Sequence, residues 1–239
     1  MAKTIDFQIG DVKTTALMAL PEGAPPRAGV VLTFHRDGLD EFSAWHIDEI
    51  AKAGYAAIAP NHYHVMPPGV DLDDRREYIS DAQQALDCAT AAKWLIANAG
   101  VESGRLAVLG PCMGGRTTLV ALECNPELWA AGCIWYGGGV FRPSKGDLPM
   151  PGDPARIERV RAPIAGFFGD LDHNPSPADV DRLDALLTKH GKPHEFHRYP
   201  TADHAFLNII GKRYHPEAAK HSWDLAKTFL AKHIGGGKA

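Results

Sequence analysis

Residues 106–117 read LAVLGPCMGGRT: an apolar run breaks at Gly110-Pro111-Cys112-Met113-Gly114 and passes straight into residues able to start a helix. A strand that turns sharply into a helix is the setting in which G-x-nucleophile-x-G presents a reactive side chain. The spacing has a steric reason. The central residue takes a strained backbone, so the residues two before and two after it approach each other, and glycine at 110 and 114 removes the side chains that would collide. Gly115 then lets the helix lie close on the sheet. Cys112 would stand at the carboxyl end of a strand and the amino end of a helix, whose dipole favours a thiolate and lowers the thiol pKa. The Met113 backbone N–H points at the same spot and can hold an oxyanion. Cys88, Cys124 and Cys133 lack this context and read as small buried apolar residues.

Outward from this turn, strand-like and helix-like segments alternate. Towards the amino terminus lie a hairpin over 4–9 and 12–20, a buried strand over 28–34, a helix over 42–53 closed by Gly54, and a strand over 55–60. A Pro/Gly/Asp-rich loop over 61–74 and a helix of about five turns over 76–98 lead to the short strand at 105–109. Beyond the helix at 113–124 come a strand over 131–136, a Gly/Pro-rich loop over 137–155 and a strand over 162–168. A helix over 178–190, a strand over 194–199 and a helix over 216–233 complete the chain, with Pro216 suited to a first helical position. Strands alternating with helices of this length predict crossover units: an α/β fold with a mainly parallel twisted sheet, helices on both faces and an amino-terminal hairpin. No segment resembles an interdomain linker, so residues 1–239 are read as a single domain.

The composition limits the function classes. The 239 residues are 45% hydrophobic and 23% charged, proportions of a folded globular chain rather than a disordered, collagen-like or coiled-coil one. A net charge of −4 provides no basic field for nucleic acid, and no apolar run reaches the roughly 18 residues that span a bilayer. The first twenty residues lack the charged and apolar regions of a secretion signal. Four cysteines without C-x-x-C spacing are too few for a disulfide framework. A cytoplasmic location is expected. Nothing in the sequence sets an oligomeric state.

A cysteine nucleophile needs a base, and the base needs a partner to hold its tautomer. After the strand at 162–168 comes Gly169-Asp170-Leu171-Asp172-His173-Asn174-Pro175. Asp172 lies in the part of that loop turning towards the site, whereas Asp170 reads as a brace. After the strand at 194–199, Pro200-Thr201-Ala202-Asp203-His204-Ala205-Phe206 places His204 in a loop. Cys112, Asp172 and His204 thus follow separate strands, where open α/β sheets gather their functional groups. Two rival readings share these residues. Gly110–Thr117 also fits a phosphate-binding loop with Arg116 in place of lysine, but Pro111 lacks a donor N–H. His62-x-His64, or Asp170, Asp172 and His173, could ligate a metal, but neither makes a complete ligand set.

The elbow Gly110-Pro111-Cys112-Met113-Gly114-Gly115, the acid loop Gly169-Asp170-Leu171-Asp172 and the histidine loop Ala202-Asp203-His204-Ala205-Phe206 together resemble the dienelactone hydrolase family of the α/β-hydrolase fold. Tyr55–Tyr63 and Trp135-Tyr136-Gly137 are similar to family strands. The resemblance implies an ester or lactone hydrolase acting on a small molecule, with Cys112 as nucleophile, His204 as base and Asp172 as orienting acid. It implies a thioester acyl-enzyme, an oxyanion hole from the N–H groups of Met113 and Arg36, and no organic or metal cofactor. Two positions depart from the family pattern. His35 stands where members carry a glutamate near the thiol, and it could reach Cys112, bind a substrate carboxylate or fill the loop. Asn208 replaces an arginine that receives a substrate carboxylate, leaving Arg75 or Arg76 as substitutes; Tyr136, His35 and Arg76 are the substrate-binding candidates. The alternative is a non-catalytic or redox-sensing member with a reactive Cys112.

Overall fold

The computed structural model describes residues 1–23, 27–143, 145–146 and 148–236, with Arg76 described by its backbone alone. Strand β1 (Lys3–Ile9) returns as β2 (Val12–Ala19), the two paired antiparallel from Lys3 opposite Met18 to Ile9 opposite Val12. The buried apolar runs form β3 (Gly29–Leu32), β4 (Ala56–Pro60), β5 (Leu106–Pro111), β6 (Ala131–Trp135) and β7 (Ile164–Gly169), and the half-buried β8 (His194–Tyr199) closes the edge. Among the described residues these eight strands make one sheet, ordered β1-β2-β4-β3-β5-β6-β7-β8. β2 meets β4 antiparallel, and every neighbour from β4 to β8 is parallel.

The helices are α1 (Glu41–Lys52), α2 (Asp81–Ala99), α3 (Met113–Cys124), the single turn α4 (Pro154–Ile157), α5 (Pro177–Lys189) and α6 (Pro216–Ile234). Alternate strand residues feed two cores. Val30, Leu32, Ala57 and Leu109 pack with Phe42 and Ile47 of α1 and with Trp223 and Phe229 of α6. Val31, Ile58, Leu106 and Val108 pack with Leu95 of α2, Leu119 of α3 and Leu183 of α5. Helices therefore cover both faces, which is why the central strands are apolar throughout rather than alternating. The chain has the α/β-hydrolase fold, as expected.

Two segments differ from the sequence reading. The helix expected from residue 76 begins at Asp81, because Ser80 caps it by accepting the Gln83 N–H; residues Leu72–Glu77 form a separate 3-10 turn capped by Asp71. Arg75 and Arg76 are thus on that turn, not on a helix start. The loop expected over 61–74 also contains a 3-10 turn, His62–Val65, whose amino end is capped by Asn61.

Candidate active site

Because β3, β5, β7 and β8 run in one direction, the loops leaving their carboxyl ends meet on one edge of the sheet. Cys112 sits between the last residue of β5 and the first of α3 with φ +56° and ψ −119°. A backbone of this kind costs on the order of 1–3 kcal/mol and persists only where its surroundings enforce it. They do so here by close contact. A Cβ on Gly110 would lie 2.1 Å from Thr33 Oγ1 and 2.6 Å from the Gly114 carbonyl carbon, and one on Gly114 would lie 2.0 Å from the Thr33 carbonyl oxygen. The collision foreseen between the two glycines is real, and Thr33 adds to it. This residue, the polar exception in the apolar run 28–34 and the first beyond β3, donates its hydroxyl to the Gly114 carbonyl at 2.7 Å. A Cβ on Gly115 would fall 2.7 Å from Gly137 Cα, so that glycine does let α3 approach the strand ends.

The sulfur, the imidazole and the carboxylate form one chain. Cys112 Sγ lies 3.0 Å from His204 Nε2, and His204 Nδ1 lies 2.7 Å from Asp172 Oδ2. A carboxylate only accepts, so Nδ1 carries the hydrogen and Nε2 faces the sulfur. Asp172 is 2% exposed, and its other oxygen accepts the Asn174 N–H at 2.7 Å. The His204 ring is backed edge-on by Tyr136 at 5.1 Å between centroids.

Charge is distributed to match. Burial pushes the Cys112 thiol up, but the hydrogen bond and charge of His204, with the N–H groups of Met113 and Arg36, outweigh it and hold the pKa below the ordinary 9.0. For His204, burial pushes down, but the bonds from Asp172 and Cys112 and their charges push the pKa up to about 10. Both shifts act in the direction that favours a thiolate–imidazolium pair. The two N–H groups expected to hold an oxyanion are also the two backbone groups that lower the Cys112 pKa.

A cavity of about 200 Å³ opens against this chain, lined by Cys112, Met113 and His204 on one side and by Arg75, Gln84, Arg116, Arg142, Lys145 and Asn174 around it. Its wall at Gly139 and Arg142 is tied to α3 by Arg116. That guanidinium holds Asp81 with two nitrogens and donates to the Gly139 carbonyl at 3.1 Å and the Arg142 carbonyl at 3.2 Å. Arg156 joins Asp81 from behind at 3.2 Å and Glu123 at 2.7 Å. Arg116 is thus engaged with protein groups, not placed as the phosphate-loop lysine, and Asp170 is ion-paired with Arg198 at 2.5 Å, the brace foreseen for it.

The candidate substrate-binding positions fare differently. His35, 7% exposed, turns its Nε2 to Asp40 Oδ2 at 2.8 Å and packs edge-on against Phe42; it does not line the cavity. Asp40 caps α1, so it draws the ring away from the thiol. Tyr136 is buried between His204 and Phe206 and does not line the cavity either: its ring backs the His204 imidazole. The Arg76 side chain lies outside the described residues. Arg75 lines the cavity, its Nη1 donating to the Leu72 carbonyl at 2.6 Å. Asn208 accepts the Ile210 N–H at 3.1 Å and shapes a turn. His62 and His64 share Asp87, and the donor atoms of His35, Asp37 and Asp40, which lie within 4.8 Å of one another, are engaged in the α1 cap and in pairing with Arg36. Sequence reasoning missed Gln84, Arg142, Lys145 and Asn174. Of these only Asn174, two residues after Asp172, carried a local signal.

The profile of the dienelactone hydrolase family matches residues 14–234. A protein of Methylorubrum extorquens, provisionally named a carboxymethylenebutenolidase, is 28% identical over 93% of this chain and 78% of its own length. One of Salmonella typhimurium with the same provisional name is 32% identical over 78% of this chain and 70% of its own. The crystal structure of a provisionally named dienelactone hydrolase from Klebsiella pneumoniae superposes with a TM-score of 0.89 at 27% identity, covering 98% of this chain and 99% of that one. By sequence profile, relatives and architecture alike, the chain belongs to the dienelactone hydrolase family.

Proposed function

We propose that this protein hydrolyses an ester or lactone bond in a small, negatively charged molecule, with Cys112 as nucleophile, His204 as base and acid, and Asp172 as the group that orients His204. The observation that carries the reading is the unbroken contact from Cys112 Sγ through His204 to Asp172 at the mouth of a cavity. Family membership and the names of the relatives support the same class of bond. The cavity supports the charge of the substrate: Arg75, Arg142 and Lys145 line it, while among the described residues no carboxylate side chain does. Guanidinium groups suit a carboxylate substituent by bidentate geometry. The reading treats residues 1–239 as one domain, since a single sheet carries every group named.

The thiolate adds to the carbonyl carbon, and the oxygen that gains the electron pair is received by the N–H groups of Met113 and Arg36. The tetrahedral adduct collapses by breaking the C–O bond, and the His204 imidazolium gives its proton to the departing alkoxide. Once sulfur is acylated, the negative charge that helped raise the His204 pKa is gone, so the imidazole returns towards its ordinary basicity. It can then take a proton from water as that water attacks the thioester. The second collapse releases the acid and restores the thiolate and imidazolium. Asp172 keeps the ring facing the sulfur throughout.

The test is turnover of aryl acetates and of small lactones with and without a carboxylate, by the wild type and by Cys112→Ala. The wild type should turn over repeatedly and favour the anionic substrates, and Cys112→Ala should lose at least about 10³-fold in kcat. Residual activity in the variant within tenfold of wild type overturns the nucleophile assignment.

A further inference from the structure

His62 and His64, two residues apart, have no part in the chain of Cys112, His204 and Asp172. His62 Nδ1 lies 2.9 Å from Asp87 Oδ2, and His64 Nε2 lies 3.1 Å from Asp87 Oδ1. The Gln83 amide also donates to this carboxylate and to the His62 carbonyl, the latter at 3.3 Å. Asp87 is fully buried on α2; burial pushes its carboxyl up, but the two histidine hydrogen bonds outweigh that and hold it low, so it stays an acceptor. The two histidines therefore fasten the turn His62–Val65 to α2 through one anchor.

The residue between them reaches the other way. The Tyr63 hydroxyl donates to the Arg36 carbonyl, and its oxygen lies 3.7 Å from Met113 Sδ. Its ring packs on Phe34 at 5.0 Å between centroids and covers Gly38, where a Cβ would lie 3.5 Å away. Gly38, at φ +86°, ends a turn in which its N–H donates to the His35 carbonyl at 3.1 Å. That carbonyl and the Arg36 N–H belong to one planar peptide and point in opposite directions, so holding the first aims the second at Cys112. Tyr63 holds the next peptide plane along. Both planes flanking the Arg36 Cα are pinned, and the same hydroxyl abuts the side chain of Met113, the residue bearing the other N–H.

We propose that the turn His62–Val65 braces the oxyanion-binding groups, with Tyr63 as a positioning residue that sets the Arg36 and Met113 N–H groups relative to each other. The proposal rests on the hydrolytic reading for its kinetic consequence but not for its geometry. Tyr63 itself transfers no proton: burial pushes its phenol well above the usual range, and it remains a donor at every working pH.

The experiment compares Tyr63→Phe and Asp87→Asn with wild type in three measurements: kcat and KM on an aryl acetate, the pH midpoint of Cys112 alkylation by iodoacetamide, and Tm. The expected result for Tyr63→Phe is a fall in kcat of about 10- to 100-fold, with KM within about twofold, as a small displacement of reacting groups produces. The alkylation midpoint should move up, because a displaced N–H no longer stabilises the thiolate. Asp87→Asn should move both in the same direction by less. A kcat within twofold of wild type overturns the proposal, and so does a kcat loss accompanied only by a lower Tm with the midpoint unmoved. Should wild type fail to turn over any ester, the hydrolytic reading fails while the alkylation midpoints still decide the role of Tyr63.

Discussion

The two sides of the cavity are built on different physical terms. On one side Cys112, His204 and Asp172 stand within a few residues of the ends of β5, β8 and β7, and steric exclusion at Gly110 and Gly114 enforces the geometry. On the other, Arg75, Arg142 and Lys145 ride on loops, and side-chain bonds from Arg116, Asp81 and Arg156 hold that wall. The two sides need different precision. Bond-making groups must be placed to within a fraction of an ångström, which backbone packing can do, whereas groups that attract a charged substituent tolerate longer and softer tethers.

The comparison predicts that damage on the first side appears in kcat. Asp172→Asn keeps the shape of the side chain but lets its amide donate to Nδ1, favouring the tautomer with the hydrogen on Nε2, facing the sulfur. The loss in kcat should be on the order of 10²- to 10⁴-fold with little change in KM. Steady-state kinetics on an aryl acetate checks this, and a loss carried mainly by KM would mean that the two sides of the cavity do not act separately.

The same division explains what could be read in the sequence. The elbow, the acid loop and the histidine loop are local patterns: a glycine pair around Cys112, and a short loop after each of two later strands, single out Cys112, Asp172 and His204, the three side chains that lie in contact. Met113 follows from the same strand-to-helix turn, whereas Arg36 is implied only by the family resemblance. The α/β alternation was legible because β3 to β7 are apolar on both faces. His35 was not legible, because nothing local in the sequence marks Asp40, five residues on, as the group that captures the ring. Nor was Tyr136, whose burial under His204 depends on how β6 and the loop after β8 meet. The cavity wall depends on pairs distant in the chain, Arg116 with Asp81 and Arg156 with Glu123, and a single sequence does not reveal such pairings. Residues 76–80 were taken into α2 because the helical period runs on through Ile79, and only the Ser80 cap ends it.

A smaller effect is expected from Arg116→Lys, which tests the second side. Lysine keeps a charge near Asp81 but cannot fork to the Gly139 and Arg142 carbonyls as well. The wall should loosen without moving the elbow. KM for a carboxylate-bearing lactone should rise about three- to tenfold, while the rate of Cys112 alkylation stays as in wild type. An altered alkylation rate would show that wall and elbow are not mechanically separate.

The smallest effect concerns stability, and it is small because two shifts offset each other. His204 is raised from 6.5 to about 10, so its contribution is complete below about 6.5 and is lost as pH rises through about 10. Cys112 is lowered from 9.0, so its contribution is present above about 9 and is lost as pH falls through its folded value. Where the two windows overlap, the unfolded chain holds one proton, on the thiol, and the folded chain also holds one, on the imidazole. No net proton is exchanged on unfolding, and this pair makes stability independent of pH there. Cys112→Ser removes the titrating thiol and leaves the His204 contribution, now sustained by Asp172 alone, to decline with rising pH. Urea midpoints of the two proteins should therefore diverge as pH rises from the folded value of the thiol towards about 9, wild type gaining on the variant. Parallel curves would mean that sulfur and imidazole titrate separately, and the thiolate–imidazolium pair would have to be abandoned even with the 3.0 Å contact intact.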